Sequence, residues 1–439
     1  MFERLRWSNL KEYVRHPVAQ NALALYGIQF ADYLVPMITI PYLARVLLPE
    51  GWGLVVFAQS FSNWLVLVLE YGFGFSATRE ISRCRDDPQR SSEVVAGVVG
   101  ANVLLLAAVS LVAAIASAVV IFKVPAFRAS PIYLWLAFLI AITQGIRPFW
   151  YFQGLESMQF PAILNVVGRL MVAAGIFLWV KTADSGWKVL LLQFGAGAVV
   201  SAVIFAVMYR RIPFRMPTLQ LSFAALRMGW TMFLSRCTVS LYTAANTLIL
   251  GFFAAPAQVA FYGGAERINR AVLGLLQPVS QALYPRMSHL AVRSRDRAAE
   301  AARFSLLLFG GFGVCSAAFF ALLAPRVIHI LLGAKYQPAV AVFRVLTLTL
   351  PLISVSNVLA TQWMLPFGMD RMFRTIAVCA GILNTALALF LAPRYGPLGM
   401  AWTVVTAEAF VTVANGYALH RSGQSFWATR PLDGPEGSG

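Results

Sequence analysis

RCTVSLYTAANTLILGFFAAPAQVAFYGGAERINRAVLGLLQ, residues Arg236–Gln277, decides how this chain is read. It reads as two apolar helices joined by a short Ala/Pro turn. Each is long enough to cross a bilayer, and each carries charge where lipid tolerates little. Arg236, Ser240, Thr243 and Thr247 recur at helical spacing as one polar stripe. Glu266, Arg270 and Gln277 form a second stripe, with Arg267 beside them. An ionisable side chain inside a span is expensive, so it faces a protein interior or a watery cavity.

The rest of the chain has the composition of a membrane protein. Of 439 residues, 59% are hydrophobic and 12% are charged, whereas a soluble domain carries about 25% charged residues. The formal net charge is +17. On a soluble chain that would suggest nucleic acid. Here the basic residues lie mostly between apolar runs, where they set orientation in a membrane, and no nucleic-acid partner is expected. Cys84, Cys237, Cys315 and Cys379 are widely scattered, and no pair has metal-ligand spacing. The four histidines form no cluster, so no metal or cofactor is expected.

Spans of about 20 apolar residues are predicted at 18–40, 54–76, 94–122, 131–150, 161–180, 188–209, 228–252, 261–288, 304–324, 338–363, 373–392 and 398–418. The fold class is therefore all-α, a polytopic membrane protein of about 12 transmembrane helices. The first run follows Arg4, Arg6, Lys11 and Arg15, and at roughly 23 residues it exceeds a signal-peptide core. With the N-terminus inside, 22 of the 35 Lys and Arg residues fall in inner segments, 8 in outer segments and 5 within spans. Arg147 counts among the inner ones. That asymmetry puts both termini in the cytoplasm.

The expected organisation is a basic segment (1–17), six spans (18–209), a cytoplasmic linker (210–227), six more spans (228–418) and a disordered cytoplasmic tail (419–439). Two weak repeats support paired halves. Gly154–Met158 matches Gly368–Met372 at an offset of 214, and 47–58 matches 254–265 at an offset of 207. Six spans per half makes the repeat parallel, a common transporter plan.

No P-loop, HExxH, paired-cysteine or Ser/His/Asp grouping is visible, and no loop is large enough for an extramembrane active site. What remains is polar residues in spans. Tyr26, Gln29 and Tyr33 share a face of the first span, with Asp32 adjacent and roughly 20 Å in. Asp32 reads either as a structural partner for an arginine or as a functional acid. Glu266 and Arg270 read either as an i,i+4 ion pair or as part of a site. Arg169 and Arg344 read as packed arginines, and the span amides, Asn246 among them, as interhelical glue. The spans hold more arginine than acid, which suits an anionic ligand such as a phosphate or diphosphate.

LYGIQFADYLVPMITIPYLARVLLPEGWGLVVFAQS (25–60) and EYGFGFSATREISRCRDD (70–87) resemble the start of Wzx-type polysaccharide flippases, of the multidrug/oligosaccharidyl-lipid/polysaccharide (MOP) exporter superfamily. Phe152–Glu156 resembles that family's turn after span four, and Phe261–Ile268, Leu276–Val279 and Tyr284–Arg286 resemble its span eight. The resemblance covers nearly the whole chain to about residue 420. It departs at Leu48, where the family usually has glycine, and at Arg267, where lysine is frequent.

The resemblance implies a V-shaped MOP/MATE-like fold of two six-helix bundles around a cationic cavity. It implies a flippase, not an enzyme, that moves undecaprenyl-diphosphate-linked O-antigen or exopolysaccharide units between leaflets of the bacterial inner membrane. Arg267, Arg270 and Arg236 would then neutralise the diphosphate. Asp32 and Glu266 would serve as counter-charges or carry a coupling Na+ or H+. Tyr26, Gln29, Tyr33, Thr243 and Asn246 would contact sugars. Expected partners are the polyprenyl-diphosphate-linked oligosaccharide, membrane lipid and the polysaccharide polymerase machinery. The alternatives are a lipid II or multidrug exporter of the same superfamily, and a membrane enzyme of polysaccharide assembly.

Overall fold

The computed structural model describes residues 17–123, 125–243, 245–423 and 426. Side chains at 17–34, 120, 122–123, 125–126, 238–239 and 241–243 fall outside that description. The described residues form helices and turns, with no strand among them. All twelve stretches read as spans fall on helix. Among the described residues, eight helices are long and apolar enough to cross a membrane. The helices Leu219–Thr243 and Pro256–Gly274, which carry Arg236 and the Glu266–Arg270 group, are not among the eight.

Two helices are composites, each reaching over two predicted spans. Pro17–Glu70 breaks at Leu48 (φ 59°, ψ 172°), and Asp370–Arg421 breaks at Gly396 (φ 55°, ψ −134°). A proline follows each break: Pro49 and Pro397. Proline lacks an N–H and has a fixed φ, so it suits the first position of a new helix. At Gly396 the backbone is unhindered. At Leu48 a branched side chain occupies a conformation that glycine takes without strain.

Span eight departs from expectation. Pro256–Gly274 ends at a turn over residues 275–276, and Gln277–Arg293 is a separate helix. Pro278 cannot donate to the carbonyl of Gly274 and crowds it, so the helix stops. Gln277 therefore does not extend the Glu266–Arg270 stripe.

The chain divides into two compact units. The first holds residues 1–240 and 255–260, and the second holds 241–254 and 261–439. Residues 228–240, expected to open the second half, thus group with the first, together with the linker before them. Aromatic contact explains it. Tyr71 lies 4.6 Å from Phe233 and 6.5 Å from Trp230, centroid to centroid. The core of the first unit gathers Phe73, Ile81, Trp150, Phe152, Ile204 and Met208. That of the second gathers Met287, Trp363, Met364, Leu419 and Phe426.

Phe426 belongs to the stretch expected to be a disordered tail. Its ring packs 5.3 Å from Trp363, and its carbonyl accepts bonds from Arg303 Nε and Nη2 at 3.0 and 2.7 Å. The segments 1–16 and 427–439 lie outside the described residues.

The repeat survives with a corrected register. Pro49 and Pro256, 207 residues apart, each begin a helix after a break. The second match moves from an offset of 214 to 212. Ser157 N–H donates to Phe152 O, and Met369 N–H to Met364 O, both at 2.9 Å. The preceding residues, Glu156 and Gly368, have φ of 54° and 72°. Both are Schellman-type helix ends. Geometry pairs Glu156 with Gly368, whereas the letters paired Gly154 with it.

Candidate functional site

In the second unit, Glu266 organises a polar cluster. Its side chain is only 16% exposed. Oε1 accepts from Arg270 Nη2 at 2.8 Å and from the Tyr262 hydroxyl at 3.5 Å. Oε2 accepts from Thr247 Oγ1 at 2.9 Å. Glu266, Tyr262 and Arg270 share the face of Pro256–Gly274 that four-residue spacing produces. Thr247 arrives from Ala245–Phe253. Arg267, half-buried on the same helix, interacts electrostatically with both Glu266 and Arg270. The i,i+4 ion pair is therefore present, and it sits inside a larger cluster.

Asn246 is 2% exposed and accepts from Asn384 Nδ2 at 2.8 Å. In this conformation its role is interhelical bonding rather than sugar contact. Asn269 likewise donates to Thr349 Oγ1 at 2.8 Å. Arg169 Nε binds Asn165 Oδ1 at 2.7 Å, and Arg344 Nε binds the Ala321 carbonyl at 3.2 Å. Arg169 is half-buried, as a packed arginine would be, whereas Arg344 is exposed. Tyr26, Gln29, Asp32, Tyr33 and Thr243 lie outside the described side chains.

Arg236 belongs to the first unit. Its Nη1 pairs with Glu70 Oε2 at 2.7 Å, and the two side chains are 40% and 39% exposed. The bond joins residues 166 apart in sequence. Glu70 was not singled out in the sequence, where it appears only as the first letter of EYGFG. Arg147, counted with the inner residues although the predicted span 131–150 covers it, sits inside the candidate span Ile132–Gly154. It occupies the break between Ile132–Gly145 and Phe149–Gly154, just before Pro148. A proline disfavours helix in the residue before it, which is the local signal for that break. Arg147 Nε donates to Ser201 Oγ at 3.2 Å, and its guanidinium lies 5.2 Å from the Phe149 ring centre.

Among the described residues, no group of three or more His, Cys, Asp or Glu is placed to hold a metal ion. The two clusters can do one kind of chemistry well. Both offer guanidinium groups, which bind phosphate oxygens in bidentate fashion.

The family model described as "Polysaccharide biosynthesis protein" matches residues 18–291. The chain belongs to this family. A relative from Escherichia coli (strain K12), named "Putative O-antigen transporter", is 28% identical over 395 residues, covering 90% of this chain and 94% of the relative. A protein of the same name from Shigella dysenteriae is 29% identical over 406 residues, covering 90% and 98%. By structure, the chain is similar to the lipid II flippase MurJ in an inward closed conformation. The TM-score is 0.71 at 13% identity, with 91% of this chain and 87% of that one covered. An inward-facing MATE transporter of the MOP superfamily gives 0.60 at 15% identity, covering 91% and 100%. At these identities the likeness establishes the fold, which is that of the MOP superfamily. The reading as a multi-pass membrane transporter of polysaccharide biosynthesis, rather than an enzyme, holds.

Proposed function

We propose that this protein flips an undecaprenyl-diphosphate-linked oligosaccharide, an O-antigen or exopolysaccharide repeat unit, from the cytoplasmic to the periplasmic leaflet. The membrane is the bacterial inner membrane, and both termini are cytoplasmic. The carrying observation is the buried Glu266 cluster with Arg267 and Arg270 on one helix of a MOP-fold member of the polysaccharide biosynthesis family. A diphosphate leaving water needs converging cations, since an unpaired buried charge costs several kcal/mol. Arg267 and Arg270 offer them from one helix of the second unit.

The protein works by alternating access, and the polyprenyl tail stays in lipid while the diphosphate and sugars cross. Tyr26, Gln29, Tyr33 and Thr243 contact the sugars. Asp32 and Glu266 act as counter-charges or carry a coupling Na+ or H+. The polymerase machinery takes the product on the far side. The names borne by the sequence relatives favour this substrate over lipid II or a drug.

Reconstitution into vesicles with a fluorescent undecaprenyl-diphosphate oligosaccharide tests the reading. The wild type exchanges it between leaflets, and Arg267→Ala slows exchange by at least about tenfold, the effect of losing one charged phosphate contact. Equal exchange in protein-free vesicles, or exchange of lipid II alone, would defeat it.

A further inference from the structure

Two arginines of the first unit are brought to one carboxylate by neighbouring helix ends. Glu70 closes the 2.7 Å ion pair with Arg236, and Leu69 beside it packs on Gly145, two residues before Arg147. Packing brings them together. A Cβ on Gly145 would lie 2.5 Å from Leu69 Cβ, so only glycine lets this helix end approach the end of Pro17–Glu70 so closely. Pro148 then forces the break that leaves Arg147 beside that contact. All of these residues belong to the first unit.

The charges do not balance: two cations face one anion. Arg147 is held through Nε and by its guanidinium lying 5.2 Å from the Phe149 ring centre. Its Nε donates to Ser201 Oγ, whose own hydroxyl is committed to the Thr143 carbonyl. A guanidinium has five N–H donors. Among the described residues, Nε makes the one hydrogen bond recorded for Arg147. Its Nη groups are thus anchored but unspent. Arg236 and Glu70 are each about 40% exposed, so the cluster is open to a ligand.

We infer that Arg147 and Arg236 form a diphosphate-binding site within the first unit, with Glu70 as a built-in counter-ion that the ligand displaces. Ser201 positions Arg147 so that its Nη edge faces the ligand. Glu70 stands in for the anion when the site is empty, which keeps two guanidiniums from facing each other uncompensated. The proposal rests on the reading of the substrate as a lipid-linked diphosphate. It adds a cation, Arg147, that the sequence reading counted with the inner residues.

The test uses the purified full chain in nanodiscs, with inorganic pyrophosphate as the probe and calorimetry at fixed ionic strength. The wild type binds. Arg147→Gln binds at least about tenfold more weakly. Arg147→Lys, which keeps the charge and loses the fork, falls between them. Glu70→Gln binds roughly tenfold tighter, because the ligand no longer competes with an internal anion. Arg394→Gln, an exposed arginine elsewhere, leaves the affinity unchanged. A purely structural pair predicts the opposite sign for Glu70→Gln. Should Arg147→Gln fail to fold, Ser201→Ala removes only the anchor and weakens binding several-fold.

Wild-type affinity in Arg147→Gln, weakened binding in Glu70→Gln, or no binding by folded wild type overturns the site. Leaflet exchange of the lipid-linked oligosaccharide in the same preparation separates the two proposals. Exchange with a flat pyrophosphate series removes the site alone. An intact series without exchange removes the flippase reading alone.

Discussion

The two charged clusters are built in opposite ways. In the second unit the acid and the base are four residues apart on one helix, and Glu266 also collects Thr247 and Tyr262, so its lone pairs are largely taken. In the first unit Glu70 and Arg236 are 166 residues apart and meet only because Leu219–Thr243 packs on the 70–73 turn. In both clusters two arginines accompany one carboxylate. A cluster made within one helix is set by spacing, whereas a cluster made between distant segments depends on the fold.

The sharpest way to break this contrast is charge reversal. Glu70→Arg brings three guanidiniums together. It lowers stability on the order of 2 kcal/mol, less than a fully buried pair because both partners are about 40% exposed. The readout is the yield of monodisperse protein and its thermal midpoint. Glu70→Arg with Arg236→Glu restores most of both, because the pair is re-formed with its poles exchanged. No recovery in the double variant would mean that the contact is incidental.

In the second unit the expected ranking runs against intuition about charge. Thr247→Val removes a buried hydroxyl donor to Glu266 and costs about 1 kcal/mol. Arg270→Ala removes a cation whose side chain is 52% exposed, and costs about 0.5 kcal/mol, as i,i+4 pairs do. Equilibrium unfolding in mild detergent gives both values. The reverse order would show that the ion pair, not the buried hydroxyl, holds the cluster.

Legibility in the sequence follows the same division. The all-α membrane class, the approximate spans and the Glu266–Arg270 pair were readable, because hydropathy and four-residue spacing are local properties. The breaks at Leu48 and at Gly396 fell in the gaps 41–53 and 393–397 between predicted spans. The grouping of 228–240 with the first unit was not readable, since it depends on Tyr71 stacking with Phe233 across a long stretch of chain. Glu70 was missed for that reason, and Arg147 because it was counted with the inner residues. The tail reading failed at Phe426 because one aromatic ring and one carbonyl, not the surrounding composition, tie that residue to Trp363 and Arg303.

The smallest effect compares the two helix-end turns. Gly368 meets its φ of 72° without strain, whereas Glu156 holds a φ of 54° with a side chain attached. Left-handed geometry costs a side-chain-bearing residue roughly 1–2 kcal/mol. Glycine returns much of that gain, because it loses about 0.5–1 kcal/mol more conformational freedom on folding. Glu156→Gly also gives up an interaction of the glutamate itself. The balance is a stabilisation of a few tenths of a kcal/mol, read as a small rise in the unfolding midpoint. Gly368→Glu imposes the first turn's strain on the second, and there the sign reverses. If the two substitutions shift stability in the same direction, the turns are not equivalent, and the 212-residue register between the halves is wrong.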